Sequence, residues 1–168
     1  PLAFSIATTD MFYRFKKHDD GKYIYTKDRG WFFEKNLIEN LNCFEGKRIL
    51  DYKLPEYHSD IPMMIFSPSV VNDGRRLLIS PQKITFLCNT DTSLFSGKIA
   101  LENIEFSTLF NKNDPQYLKI SSAMRMNATF PYILPMVFLP SEPKIEVMDA
   151  GLRDNLGLTT SIKYIDNF

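Results

Sequence analysis

Residues 144–151 read KIEVMDAG, a short apolar run that leads directly into an aspartate followed by two small residues. The run from Lys144 to Met148 predicts a strand, and Asp149-Ala150-Gly151 predicts the tight turn that ends it. In open α/β sheets, active sites lie beyond the carboxyl ends of strands, so Asp149 stands where a functional carboxylate is favoured. An aspartate in this position also fits a turn former or helix cap that binds nearby backbone amides.

Upstream of this motif, the sequence predicts a β-hairpin. Residues 61–67 (IPMMIFS) and 76–80 (RLLIS) are apolar runs of strand length, and Asn72-Asp73-Gly74 between them is a turn sequence. Residues 84–88 predict another short strand. The hairpin would supply two neighbouring strands to the same sheet as the aspartate strand.

Three further segments have helical patterns. Residues 31–41 carry apolar side chains at helical spacing, with Asp28 as the candidate cap. Residues 116–128 predict a helix that ends before Phe130-Pro131, because a proline disfavours helical geometry in the residue before it. Residues 159–165 predict a last helix. Because strand, turn and helix recur along the chain, we expect an α/β fold.

The composition restricts the classes of function. The 168 residues include twenty basic and twenty acidic side chains, so the balance gives no electrostatic footprint for nucleic acid. Cys43 and Cys88 lie in apolar neighbourhoods, and we expect two buried free thiols rather than a disulfide-stapled secreted fold. The longest apolar stretch, Tyr132–Leu139, is interrupted by Pro135 and is too short to span a bilayer.

The sequence carries no signal for a compartment, a cofactor or a metal. The opening residues 1–4 lack the basic region of a signal peptide, and a start at proline suggests a piece of a longer chain, so localisation stays open. His18 and His58 each have an aspartate nearby and lack the i, i+4 spacing of a helical zinc site. We therefore expect both histidines to be solvated, and predict no metal site and no cofactor.

Three segments follow one another in an order that is familiar from one enzyme family. Residues 61–80 form the predicted hairpin, residues 121–135 (SSAMRMNATFPYILP) are a small-residue helix running into Phe-Pro, and residues 148–158 (MDAGLRDNLGL) carry the aspartate. Together they resemble the patatin-like phospholipase family of acyl hydrolases. We assign residues 61–168 to the C-terminal part of a patatin-like domain, and treat residues 1–60 as a separate, partly helical segment that matches no family motif.

The resemblance implies a serine–aspartate dyad that hydrolyses acyl esters. Asp149 matches the dyad aspartate, which would accept the serine proton and orient the hydroxyl. Ala150, Gly151 and Asn155 match the positions that support the motif. A lipid or other ester would be the substrate, no cofactor would be needed, and the longer protein would meet a membrane surface.

The sequence departs from the family pattern in two ways. Ala150 stands where the family usually has glycine, so the loop should have less backbone freedom. Gly-x-Ser-x-Gly, which makes room for a nucleophilic serine on a strained turn, does not occur in the 168 residues, and neither does the glycine-rich oxyanion loop. We therefore expect a partial patatin-like α/β/α fold with a mainly parallel sheet and without the nucleophile half. Such a chain would be inactive alone; the alternative is a non-catalytic patatin-fold module that binds lipid or a protein.

Three features have structural explanations that the sequence favours. Half of an α/β sheet leaves strand edges and an apolar face uncovered, so we expect a homo-oligomer or a rearranged terminal segment to cover it. Asn127-Ala128-Thr129 is a glycosylation sequon that we interpret as a chance match. Met124 and Met126 fit core packing better than an acyl pocket, and Arg125 between them should pair with a carboxylate or with backbone carbonyls.

Overall fold

The computed structural model describes residues 16–19, 24–88 and 102–167. The helices and strands, in chain order, are β1 (Lys17–Asp19), β2 (Ile24–Thr26), α1 (Arg29–Asn40), α2 (Lys53–Tyr57), β3 (Ser69–Val70), β4 (Arg76–Leu78), β5 (Asn103–Glu105), α3 (Phe106–Leu109), α4 (Ile120–Asn127), β6 (Val137–Leu139), β7 (Ile145–Met148), α5 (Gly151–Asp154) and α6 (Leu158–Asp166). Short 3₁₀ turns lie at Asn42–Phe44, Ile49–Tyr52, Thr85–Cys88 and Pro115–Tyr117. No helix in the described ranges is long and apolar enough to cross a membrane.

A mixed five-stranded sheet organises the chain, in the order β5-β4-β3-β7-β6, while β1 and β2 form a separate pair. The predicted α/β class is confirmed. The expectation of a mainly parallel sheet is wrong for the described strands, because only β4 and β5 run parallel and the other three pairings are antiparallel. Residues 71–75 and 140–144 are connections too short for anything but antiparallel neighbours, whereas residues 79–102 leave room for a crossover.

The predicted hairpin forms, but its first strand lies further along the chain than expected. Ser69 pairs with Arg76, and Gly74 takes a positive φ of 75° in the turn. Residues 61–67 contribute only an isolated bridge between Phe66 and Ile79. Prolines at positions 62 and 68 have no N–H to donate to a sheet, which explains why regular pairing begins at residue 69.

Two other predicted elements differ from the structure because tertiary contacts override the local pattern. Residues 84–88 contain a 3₁₀ turn instead of a strand, and the Ile84 N–H donates to the carboxylate of Glu105 rather than to a neighbouring strand. The predicted helix 116–128 starts only at Ile120, since Leu118 accepts a backbone hydrogen bond from Ile49 and is drawn out of helical geometry. The other two helices form as expected. Asp28 caps α1 by accepting from the Trp31 N–H at 2.8 Å.

The core lies on both faces of the sheet. Leu77 and Leu78 follow one another on β4, so their side chains point to opposite faces. Leu77 belongs to a buried cluster with Ala123 and Met126 of α4, whereas Leu78 belongs to a second cluster against which Tyr164 of α6 packs. Helices α4 and α6 therefore cover opposite faces, and the turn that follows β7 lies between the ends of these two layers.

Candidate active site

Asp149 is the first residue after β7, and its backbone rests on the end of α4. The Asp149 N–H donates to the Thr129 carbonyl at 3.0 Å, and the Ala150 N–H donates to the Asn127 carbonyl at 3.2 Å. These carbonyls lie at and just beyond the carboxyl end of the helix, where backbone acceptors have no partner inside the helix. The aspartate turn therefore takes its position from the helix as well as from the strand.

The Asp149 carboxylate is half-buried and engages only one of its two oxygens. Oδ1 accepts from the Gly151 N–H at 2.6 Å, and Oδ2 accepts no hydrogen bond from any residue in the described ranges. A Cβ at Gly151 would lie 2.7 Å from Asp149 Oδ1 and 2.9 Å from Asn155 Oδ1, which is too close for either contact. The structure thus brings together three of the predicted site residues, and a side chain at position 151 would displace the Asp149 and Asn155 side chains from their present positions.

Ala150, the fourth predicted site residue, occupies an ordinary backbone conformation. Its φ of −60° and ψ of −32° are right-handed helical and open to any residue. The side chain is buried, and the turn continues into α5 without distortion. The observed conformation does not call for glycine at position 150, and the expectation that alanine gives this loop less backbone freedom stays a prediction.

Asn127, which the sequence offered only as part of a sequon, joins three segments at this site. Its side-chain Oδ1 accepts from the Ser67 N–H at 2.8 Å, and its carbonyl accepts from Ala150. Thr129 is fully buried, and its hydroxyl donates to the Arg125 carbonyl at 2.6 Å. Both sequon side chains are therefore engaged inside the fold, in agreement with the interpretation of the sequon as a chance match.

Arg125 pairs with carboxylates, as predicted, and these ion pairs hold α4 against α1. Its guanidinium forms ion pairs with Glu34 at 3.3 Å and with Asp28 at 3.5 Å. It lies directly against Gly30, where any side chain would overlap the guanidinium atoms. Met126 is buried in the core and Met124 packs against it, so the prediction of core packing is confirmed.

A buried polar cluster that sequence reasoning missed lies beyond the aspartate turn. Arg76 of β4 is 3% exposed, and it donates to Asn103 Oδ1 at 2.8 Å and to Asp154 Oδ2 at 3.4 Å. Asp154 also accepts from the N–H and the hydroxyl of Thr160, both at 2.9 Å. Burial opposes ionisation of Asp154, but these bonds outweigh burial and hold its pKa below the usual range. An arginine inside the apolar run RLLIS was the sequence signal for this cluster.

A second buried carboxylate, Glu105, ends β5. Its two oxygens accept from the Ile84 N–H at 2.9 Å and from the hydroxyls of Thr85 and Thr108 at 2.6 and 2.8 Å. Burial opposes ionisation, but these donors together hold the pKa of Glu105 below its usual range. Burial, with the nearby Glu105 charge, raises the pKa of the Cys88 thiol to about 11, so Cys88 is a poor nucleophile at neutral pH.

The predictions for the cysteines and the histidines have mixed outcomes. Cys43 and Cys88 are both free, as predicted, but Cys43 is exposed and Cys88 is only half-buried, so the expectation of two buried thiols is wrong. His58 is exposed as predicted, while His18 is half-buried with its ring 5.8 Å from that of Trp31. Across the described ranges, no three His, Cys, Asp or Glu side chains are grouped to hold a metal ion.

Comparisons of this chain with known protein families, with curated proteins and with solved structures found no match.

Proposed function

We propose that this chain supplies the general-base aspartate of a patatin-like serine acyl hydrolase, and that Asp149 is that residue. The observation that carries the proposal is the state of its carboxylate. One oxygen is held by the Gly151 N–H, and the other accepts no hydrogen bond from the described residues. A general base needs a fixed orientation together with an oxygen that can reach the proton it abstracts.

The chemistry assigned to Asp149 is proton transfer in two directions. Its Oδ2 would take the serine proton while the serine oxygen bonds to the ester carbonyl carbon, and would return that proton to the departing alcohol. Water would then attack the acyl-serine ester by the same route and release the carboxylic acid. Because Gly-x-Ser-x-Gly does not occur in the 168 residues, the serine would come from another part of the polypeptide.

Two buried carboxylates near the same end of the sheet, Asp154 and Glu105, support the choice of Asp149. Asp154 Oδ2 bonds to Arg76 and Thr160, and both oxygens of Glu105 accept from protein donors. Their hydrogen-bonding capacity is used inside the fold, so neither can take a proton from a substrate without losing a structural bond. Asp149 has one oxygen that accepts no hydrogen bond from the described residues, and it lies at a strand end, the usual location of active sites in open α/β sheets. Glu56 also has one oxygen bonded, to the Met64 N–H, and Oε2 without a partner among the described residues, but it lies in α2 and not at a strand end.

We further propose that the described elements are part of a larger layered α/β/α domain. Packing of α4 and α6 on opposite faces of the sheet supports the layering. Helix α6 leaves Leu158, Ile162 and Ile165 at least 57% exposed at helical spacing, as expected for a domain that is completed by further chain or by a second copy. The substrate would be a lipid or another acyl ester, and the longer protein would act at a membrane surface.

The test is hydrolysis of a fluorogenic short-chain ester by a polypeptide that extends upstream, in its own reading frame, through any Gly-x-Ser-x-Gly. We expect turnover by this wild-type protein and none by the 168 residues alone. Asp149→Asn should lower kcat by about 10³-fold or more, since members of a catalytic unit act together. Glu105→Gln is the matched control, because it alters a strand-end carboxylate that has no role in the proposal.

Equal turnover by the wild type and the Asp149→Asn variant would reject the proposed role. No turnover by any extended form, in a folded protein, would favour a non-catalytic patatin-fold module that binds lipid or a protein. Asp149 would then be an ordinary turn-forming aspartate.

A further inference from the structure

Helix α5 is a single turn that begins directly behind the Asp149 carboxylate. Its first residue, Gly151, donates the N–H that holds Asp149 Oδ1. At its other end, the N–H groups of Arg153 and Asp154 both donate to the Ala150 carbonyl, at 3.0 and 2.9 Å. So short a helix has little stability of its own, because nucleation costs more than one turn of hydrogen bonds returns. What fixes α5 must therefore lie outside it.

The last residue of α5 provides that fixation. Asp154 is 7% exposed, and its carboxylate accepts from the N–H groups of Thr159 and Thr160 at 3.2 and 2.9 Å. These amides lie in the first turn of α6, where backbone donors have no partner within the helix, so the Asp154 side chain ties α5 to the backbone of α6. Its Oδ2 also meets the Arg76 guanidinium on the sheet.

Arg76 connects Asp154 to the neighbouring strands of the sheet. Ser69 on the central strand β3 pairs with Arg76 on one side and with Met148, the residue before Asp149, on the other. Arg76 is itself held by Asn103 on the next strand, through a bond of 2.8 Å from its Nε. The strand that carries Asp149 and the helix behind it therefore contact the same row of residues, Ser69, Arg76 and Asn103.

We infer that the buried pair of Arg76 and Asp154 positions the Asp149 carboxylate by holding α5 in place. Both are positioning residues: neither touches the Asp149 carboxylate, and their effect passes through the Gly151 N–H. The functional consequence rests on the role proposed above for Asp149, whereas the structural coupling does not. A shift of α5 would move the Gly151 donor and turn the carboxylate oxygen away from its target.

The coupling can be measured on the 168-residue chain without any activity. Nuclear magnetic resonance would follow the Gly151 amide, whose chemical shift and hydrogen exchange report its bond to Asp149. Asp154→Asn keeps the side-chain shape but removes the charge that pairs with Arg76. We expect it to reduce the exchange protection of the Gly151 amide by about tenfold or more. Glu105→Gln, which alters an equally buried carboxylate away from α5, should leave that amide unchanged.

A second variant keeps the test valid if Asp154→Asn does not fold. Arg76→Lys retains the positive charge but lacks the fork that contacts Asn103 and Asp154 together. It should also reduce the exchange protection of the Gly151 amide. Unchanged protection of Gly151 in a folded Asp154→Asn or Arg76→Lys variant, or an equal loss in Glu105→Gln, would overturn the inference.

The extended polypeptide supplies the functional readout. We expect Asp154→Asn to lower kcat by about ten- to a hundredfold with KM nearly unchanged, because small displacements of a catalytic group cost that much. Unaltered kcat alongside a loosened Gly151 amide would remove the functional part of the inference. If the extended wild type has no turnover at all, the proposed function fails, while the amide measurement still decides whether Arg76 and Asp154 position the turn.

Discussion

Asp149 and Glu105 stand at corresponding points of the sheet, yet their surroundings differ. Strands β4, β5 and β7 run in one direction, since β4 is parallel to β5 and both β4 and β7 are antiparallel to β3. Asp149 and Glu105 therefore lie at the same edge, where the carboxyl ends of strands collect. Glu105 is 4% exposed and accepts from three donors, whereas the half-buried Asp149 accepts from one. Both carboxylates lie at strand ends, so location does not distinguish them. They differ in the number of hydrogen bonds that their oxygens accept.

The largest effect on stability should come from emptying the Glu105 site. Glu105→Ala leaves the buried N–H of Ile84 without its acceptor, while the exposed Thr85 and Thr108 can bond to water instead, so the loss should be about 1–3 kcal/mol of unfolding free energy. Urea denaturation followed by circular dichroism measures this. Asp149→Ala is the counterpart, and it should cost less than about 1 kcal/mol, because a single donor loses its acceptor. Similar losses in both variants would erase the distinction between the two carboxylates.

A smaller effect, confined to the Asp149 turn, should follow from Gly151→Ala. The new methyl group would crowd Asp149 Oδ1 and Asn155 Oδ1, so these two side chains must shift. We expect kcat for ester hydrolysis by the extended polypeptide to fall by about ten- to a hundredfold, with a modest change in melting temperature. Ser161→Ala, at an exposed position of α6, controls for alanine substitution in this part of the chain. Full activity in Gly151→Ala would show that the orientation of the carboxylate is unimportant.

The smallest effect concerns the pH dependence of stability. The pKa shifts of Glu105 and of Glu56, another buried carboxyl, have opposite signs. The pKa of Glu105 is lowered, so its stabilisation is present above the unfolded pKa of about 4.3 and is lost as the pH falls through the lower folded value. Burial raises the pKa of Glu56, only partly offset by the Met64 N–H, so its ionisation at neutral pH destabilises the fold.

Glu56→Gln should therefore raise the unfolding free energy at pH 7 slightly, by less than about 1 kcal/mol, and the gain should disappear below the raised pKa, where wild-type Glu56 is protonated. Glu105→Gln should lower stability at pH 7, and this loss should shrink on acidification. Urea titrations at pH 7, 5 and 3 compare the two; a gain in both variants at pH 7 would contradict the assignment.

Local patterns predicted the parts of the fold that depend on neighbouring residues. Asp28 as a helix cap, the turn ending at Gly74 and the strand before Asp149 all follow from a few adjacent side chains. Predicting the strand directions also requires the lengths of the connections between strands. Residues 71–75 are too few for a crossover, so the antiparallel hairpin could be predicted, whereas the expectation of a mainly parallel sheet came from the family resemblance.

The contacts that support the candidate site could not be predicted from the sequence, because they join residues far apart in the chain. Asn127 meets Ser67 across 60 positions, and Arg76 meets Asp154 across 78. Nothing in the local sequence of Asp154 distinguishes it from an exposed aspartate in a turn. The motif located Asp149, whereas only the assembled sheet reveals what holds it.

The contact between Gly30 and Arg125 has a consequence for how related sequences should vary. The Arg125 guanidinium occupies the space where a side chain at position 30 would begin, so a larger residue there must displace Arg125 from its ion pairs with Asp28 and Glu34. We therefore expect positions 30 and 125 to vary together. Among relatives of this chain, a larger residue at position 30 should be accompanied by a shorter one at position 125, and that paired change would trace the packing of the two helices from sequence alone.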